Sequence, residues 1–99
     1  MRWRTPARRT YRRPMLNVFI VTIAPGHDPD KLLSDETTAE TMAQVMTPEE
    51  AVAVGFSGLP DKVDGALRIV AVAARDARWI HRALDANPAV TSYRVKEIE

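Results

Sequence analysis

The side chains best suited to chemistry lie in one short polar segment, Gly26 to Asp30. It places the imidazole of His27 and the carboxylates of Asp28 and Asp30 close together along the chain. Groups of this kind bind divalent metals or transfer protons. Ligands so near in sequence rarely converge on one ion, and Asp28 before Pro29 has the pattern of a helix N-cap. We therefore favour a polar loop with a cap, and keep His27, Asp28 and Asp30 as second-choice metal ligands and the first two as second-choice catalytic groups.

A second set of polar side chains belongs to a helix predicted over 76–87. Histidine is the residue type most often used for proton transfer near neutral pH, which makes His81 a further catalytic candidate. On an ideal helix Trp79 and His81 lie about 100° to either side of Ile80, so they cannot both face one ligand. We expect a solvated His81. We expect Trp79 to pack at the helix rim or at a contact with another subunit, because exposed tryptophans favour interfaces.

No cofactor is predicted from the remaining motifs. The glycines at 26, 55, 58 and 65 match neither the dinucleotide-binding nor the phosphate-loop pattern. The stretch 55–59 begins like a nucleophile elbow, but Leu59 stands where the second glycine is required. The absence of cysteine excludes disulfides and Cys-ligated zinc. These observations leave enzymatic activity open and favour a non-enzymatic protein.

Charge divides the 99-residue chain into two parts. Residues 1–14 hold six of the fourteen basic residues and no acid, which leaves eight bases against thirteen acids in 15–99. We predict a basic extension without fixed structure over 1–14 and a single acidic domain over 15–99. If nucleic acid binds at all, we expect the extension to bind it, through Arg2, Arg4, Arg8, Arg9, Arg12 and Arg13. An inert extension ahead of a working start at Met15 is the interpretation that we favour, and a targeting segment is a third.

Hydrophobic patterning predicts the elements that must position these groups. Strands are predicted over 15–24, 66–74 and 91–98, the first two rich in β-branched residues and apolar on both faces. Helices are predicted over 30–46 and 76–87, and the first of these could be two short helices.

The segment 47–57 carries two conflicting signals. Thr47-Pro48-Glu49-Glu50 is a capping box, which predicts a helix. Val52, Val54 and Phe56 alternate with small residues, which predicts a strand. We favour a strand over 51–57. A helix there would leave three strands and a different topology.

The resulting order, β-α-β-β-α-β, predicts the ferredoxin-like plait, an α+β fold with a four-stranded antiparallel sheet and two helices on one face. Its other sheet face would then be apolar and uncovered, which a monomer does not tolerate. We therefore expect a homodimer or a protein partner to cover that face. The predicted interface residues are Phe19, Ile20, Ile69, Val70 and Trp79.

Three functions follow as hypotheses. The favoured one is a small non-enzymatic module that associates through its apolar sheet face as an assembly, adaptor or regulatory subunit. The second is a ligand-binding or enzymatic dimeric α/β-barrel protein with a pocket beside His27. The third is a nucleic-acid or acidic-surface binder that uses the arginine-rich extension. No apolar run is long enough to span a membrane, and we expect a cytoplasmic protein.

Overall fold

The computed structural model describes residues 16–98, which form an α+β fold built on one four-stranded antiparallel sheet. The strands are β1 (Leu16–Ile23), β2 (Gln44–Met46), β3 (Ala66–Ala73) and β4 (Val90–Ile98). Their order across the sheet is β2-β3-β1-β4, so β1 and β3 are central. The predicted extension over 1–14 lies outside the described residues.

The two central strands are the long β-branched runs that the sequence predicts. They pair over their full length, from Leu16 opposite Ala73 to Ile23 opposite Ala66. Each has side chains buried on both faces of the sheet. This double burial explains why both read as almost continuously apolar. The strand predicted over 91–98 is also present, as β4 at the edge.

The first predicted helix is divided, and its last residues form a strand instead. A single 3-10 turn covers Pro29–Lys31, and α1 covers Asp35–Thr41. The helix α1 ends at Met42, whose backbone is left-handed with φ of 56°. The chain then turns into the short edge strand β2, which pairs with β3 from Gln44 opposite Ala71 to Met46 opposite Ile69.

The strand predicted over 51–57 is wrong, because the capping box prevails over the alternating valines. The helix α2 covers Pro48–Ala53. The Thr47 hydroxyl accepts a hydrogen bond from the Glu50 amide at 3.1 Å, and the Glu50 carboxylate accepts one from the Thr47 amide at 2.9 Å. These bonds satisfy two backbone donors that a helix start otherwise leaves free. The sheet nevertheless keeps four strands because β2 occupies the position expected of 51–57.

One face of the sheet carries the larger hydrophobic core. The helix α3 (Ala77–Asp85) buries Ala77, Ile80 and Leu84 against it. The residues flanking α1 complete this side. The buried members of this core are Phe19, Val21, Ile23, Leu32, Leu33, Ala43, Val70, Val72, Ala77, Ile80 and Leu84.

The opposite face of the sheet is covered by the chain itself. The helix α2 places Ala51, fully buried, against the central strands, and the following loop adds Phe56, Leu59 and Val63. We call residues 48–63 the cover. The expected bare apolar face is therefore absent from the described part of the chain, because the cover, which includes the residues 51–57 predicted as a strand, lies on top of it.

Burial on both faces of the sheet, by the cover on one side and by α3 on the other, changes the assignment of the predicted interface residues. Phe19, Ile69 and Val70 are fully buried and Ile20 is 7% exposed, so none of these four side chains is accessible to a partner. Of the five predicted residues, Trp79 alone is exposed, at 45%. The physical reason for expecting a partner over the centre of the sheet is thereby removed.

Gly65 connects the cover to β3. Its φ of +118° is a conformation that residues with a side chain rarely adopt. A Cβ at this position would overlap the carbonyl oxygen of Ile23, so the backbone of β1 passes directly beside the glycine. Position 65 thus sets how closely the end of the cover approaches the central strand.

Within residues 16–98, no helix is both long and apolar enough to cross a lipid bilayer.

Candidate functional site

The polar segment around His27 forms a loop at the end of β1, and its carboxylates are already engaged. Asp28 accepts a hydrogen bond from the Asp30 amide at 2.9 Å, which caps the 3-10 turn as the sequence predicts. Asp30 pairs with the Arg68 guanidinium at 3.3 Å. Among the described residues no three His, Cys, Asp or Glu side chains converge as metal ligands. The three residues therefore do not form a metal site in this conformation.

A small surface pocket of about 230 Å³ does open beside His27. Asp28 and Lys31 line it, together with Asn87 from the turn before β4. Asn87 is held in place, since it donates to the Leu32 carbonyl at 3.1 Å and accepts from the Ala89 amide at 2.9 Å. The pocket is smaller than the roughly 300 Å³ at which ordinary ligand sites begin. It offers two charged groups and an imidazole but little volume.

His81, the third catalytic candidate, belongs to a hydrogen-bonded chain between α3 and β4. The Tyr93 hydroxyl donates to the Asp85 carboxylate at 2.7 Å. The Nδ1 atom of His81 lies 3.1 Å from the same hydroxyl oxygen, which can accept its N–H. The imidazole also packs edge-on against the Phe19 ring, with 4.9 Å between ring centroids. His81 is thus partly buried, unlike the solvated residue that we expected.

The Asp85 carboxylate changes the chemistry of the tyrosine. The pKa of Tyr93 is raised above 10.0, first because its hydroxyl donates a hydrogen bond to Asp85, and further because partial burial and the negative charge of Asp85 act in the same direction. A phenol that ionises less readily than usual is a poor general base at neutral pH. What the hydrogen bonds of Tyr93 do is connect α3 to β4.

Sequence reasoning missed Asp85 and Tyr93 as partners of His81. One signal was present, since Asp85 follows His81 by four residues and so lies on the same side of the helix. The pairing with Tyr93 depends on the register of β4 beside β1, where Tyr93 stands opposite Val21. No local pattern in the sequence specifies that register.

The exposed face of α3 carries a different group, built around Trp79. Arg78 and Arg82 place their guanidinium carbons 5.4 Å and 5.1 Å from the centroid of the Trp79 ring system. All three side chains are exposed, although Trp79 is one of the largest apolar groups in the protein. Arg82 follows Trp79 by three residues and Arg78 by four, which places it beside both on the helix surface. We call Arg78, Trp79 and Arg82 the arginine–tryptophan patch.

The arginine–tryptophan patch is positively charged within an otherwise acidic domain. No acidic residue occurs from Ala77 to Leu84. Arg75 precedes the helix and stays largely exposed, with Asp76 at 3.8 Å as its neighbouring carboxylate. This surface can bind carboxylates or phosphates through its guanidinium N–H groups, while the indole supplies apolar contact area.

A comparison of the chain with protein-family models, with curated proteins and with solved structures finds no match. The six arginines of the extension, Arg2 to Arg13, lie outside the described residues, and nucleic-acid binding by them stays a prediction.

Proposed function

We propose that this protein is a small association module that binds an acidic protein partner through its arginine–tryptophan patch. The observation that carries the proposal is the exposed Trp79 with two guanidinium groups 5.4 Å and 5.1 Å from its ring. Tryptophan and arginine are the residues most enriched among those that dominate binding energy at protein interfaces. The proposal keeps the association class expected from the sequence and moves the contact from the sheet face to α3.

The geometry of the arginine–tryptophan patch supports a partner with carboxylates. The cation–π attraction between a guanidinium and an aromatic ring contributes about 0.5–1 kcal/mol of interaction free energy at an exposed site. This attraction restricts the motion of the long arginine side chain. The N–H groups of a stacked guanidinium remain available at its edge for a bidentate contact with a carboxylate. A second copy of the same helix would bring like charges together, so the patch favours a different, acidic surface.

We further infer that the sheet and helices form a ferredoxin-like plait with α2 inserted before β3. Two β-α-β units support this inference. In the unit β1-α1-β2 the two strands lie on either side of β3, and in the unit β3-α3-β4 the two strands lie on either side of β1. Such split units define the plait. Plaits serve many functions, so the fold by itself does not decide among them.

The association proposal can be tested with Trp79 as its own probe. The variant Trp3→Phe makes Trp79 the single tryptophan of the chain. We expect a decaglutamate peptide to change Trp79 fluorescence in a saturable way, and the affinity to fall several-fold in Arg78→Ala/Arg82→Ala. The matched control is Arg94→Ala/Lys96→Ala, which removes two exposed bases from β4 instead.

Two outcomes would contradict the proposal. One is an equal loss of peptide affinity in the α3 and the β4 double variants, which would indicate general charge attraction. The other is tighter binding of a single-stranded oligonucleotide than of the peptide, which would assign the patch to nucleic acid. Arg78→Lys/Arg82→Lys should restore little affinity if bidentate contacts matter, because lysine keeps the charge without the planar fork.

A further inference from the structure

The cover has a surface groove of about 630 Å³. Its apolar wall includes Val52, which is 60% exposed, and the ring of Phe56. Two carboxylates, Glu49 and Asp61, are the charged residues among those that line it. The complete lining consists of Pro48, Glu49, Val52, Phe56, Ser57, Gly58, Leu59, Pro60 and Asp61. The groove therefore combines exposed apolar surface with negative charge.

The ring of Phe56 already has a cation beside it, from a residue that does not itself line the groove. The Lys96 ammonium lies 5.2 Å from the centroid of the Phe56 ring. Aromatic faces attract guanidinium groups at least as often as ammonium groups. A ligand with arginines and flat or aromatic side chains would thus find both a ring and carboxylates within the same groove.

The extension of this chain has the complementary composition. Residues 1–14 contain six arginines and no acid, together with Trp3, Tyr11, Pro6 and Pro14. The remainder of the chain has five more acidic than basic residues. The two prolines oppose a helix and favour an extended backbone.

The extension is also long enough to reach the cover. It joins the domain at Leu16, which lies opposite Ala73 of β3, whereas Met46 before α2 lies opposite Ile69 of the same strand. Four residues of β3 span about 13 Å. Fourteen extended residues span about 46 Å, more than three times that distance.

We propose that residues 1–14 bind in cis along the groove formed by Pro48 to Asp61. Trp3 or Tyr11 packs against Val52 and Phe56, and arginines pair with Glu49 and Asp61. The contact shields the exposed apolar surface of the cover and lowers the excess charge of both parts. It is independent of the arginine–tryptophan patch, which lies on α3 on the other side of the sheet.

The test uses the full chain with Trp79→Phe, which leaves Trp3 as the single tryptophan. We expect Trp3 to be several-fold less accessible to acrylamide in this protein than in the free peptide 1–14, with its emission at shorter wavelength. Concentrated salt should return both values towards those of the peptide, since exposed ion pairs are screened.

Matched variants locate the contact. Val52→Ser removes an apolar side chain from the groove, while Val54→Ser removes one that is 73% exposed on the same segment but does not line it. Glu49→Gln/Asp61→Asn neutralises the groove, and Asp35→Asn/Glu36→Gln makes the same charge change on α1. We expect the first variant of each pair to restore quenching of Trp3 and the second to leave it unchanged.

Each alternative result would overturn the proposal. If acrylamide quenches Trp3 as strongly in the full chain as in the free peptide, the extension does not bind the domain. Equal effects of the two double neutralisations mean that it binds without a defined site. If sedimentation shows a dimer that dissociates when residues 1–14 are removed, the extension binds a second copy of the chain instead. If Trp3 is protected from acrylamide only when an oligonucleotide is added, the extension binds nucleic acid.

Discussion

The phenol of Tyr93 has a raised pKa, chiefly because its hydroxyl donates a hydrogen bond to Asp85. Its hydroxyl donates to Asp85 and lies beside Nδ1 of His81, so three side chains from α3 and β4 share one hydrogen-bonded chain. Removing the phenol proton would lose the bond to Asp85 and place two negative charges side by side. The raised pKa of Tyr93 expresses that cost.

The first prediction is that this hydrogen bond stabilises the fold below pH 10.0 and ceases to do so at higher pH. The folded-state pKa of Tyr93 exceeds the unfolded value, so the stabilisation is complete below the unfolded pKa and is lost as pH rises through the folded one. Tyr93→Phe should lower the free energy of unfolding by about 1 kcal/mol near neutral pH. Urea unfolding at several pH values measures the difference, which should shrink above pH 10.0.

Asp85→Asn provides the control for this prediction. It removes the charge while keeping a possible acceptor, so the pKa of Tyr93 should move back towards its ordinary value. Titration of tyrosinate absorbance in a Tyr11→Phe background would follow Tyr93 alone. A stability difference between the chain and Tyr93→Phe that stays constant across this pH range would contradict the assignment.

At the scale of single residues, the sequence predicted local features better than contacts between residues distant along the chain. The cap at Asp28 and the exposure of Trp79 follow from local spacing, and both are confirmed. The link from Asp30 to Arg68 joins residues 38 positions apart. Such a contact depends on how β3 and the 3-10 turn are brought together, which local pattern does not encode.

Among the elements, α2 shows two local signals in direct competition. The alternation of Val52 and Val54 has the period of a strand, but both side chains are more than half exposed in the structure. A strand would have buried one side of that alternation. The helix instead buries Ala51 and gains two capping hydrogen bonds within four residues. Short-range bonds of this kind form at small entropic cost, which favours them over a distant pairing.

The second prediction concerns this cap. Thr47→Ala should lower the free energy of unfolding by about 1 kcal/mol, because it leaves the Glu50 amide without its acceptor. Thr47→Ser keeps the hydroxyl and should be within a few tenths of a kcal/mol of the original chain. Chemical denaturation of the three proteins measures both differences. Equal stability of all three would mean that the cap does not hold α2.

The two central strands and α3 were predicted correctly because each has one clear pattern of burial. The strands β1 and β3 are covered on both faces, and α3 has a single apolar stripe, so each leaves an unambiguous pattern. The strand β2 has three residues and follows a helix that ends at a left-handed methionine. Methionine rarely adopts that conformation, and three residues are too few to show a period.

For the whole molecule, the cover decides whether an apolar sheet face meets water. The cluster beneath it includes Val18, Ile20, Leu67 and Ile69 from the two central strands. Exposed together, these side chains would make a contiguous patch of the kind that causes association. The sequence-based expectation of a partner was therefore sound for a bare sheet and lost its basis once 48–63 was found on that face.

The third prediction follows from this arrangement. Ala51→Asp places a carboxylate between α2 and the sheet and should cost about 3 kcal/mol or more, because a buried charge without a partner is strongly unfavourable. Ala53→Asp adds the same group at an exposed position of the same helix and should cost about 1 kcal/mol or less. Thermal unfolding gives the two values, and sedimentation should show that Ala51→Asp associates while Ala53→Asp does not. Similar stability of both variants would contradict the packing of α2 on the sheet.

Gly65, which connects the cover to β3, also limits how sequences with this architecture can diverge. The backbone at position 65 combines a left-handed φ with direct contact to the Ile23 carbonyl, and no side chain removes both obstacles. Among the residues that line the groove, Gly58 shares the left-handed φ at +86°, but a Cβ there would meet no atom within 4 Å, and the other lining residues carry neither obstacle. Across an evolutionary lineage we therefore expect glycine at position 65 to persist while the adjoining loop changes, and saturation mutagenesis scored by protein abundance would reveal the same contrast in one experiment.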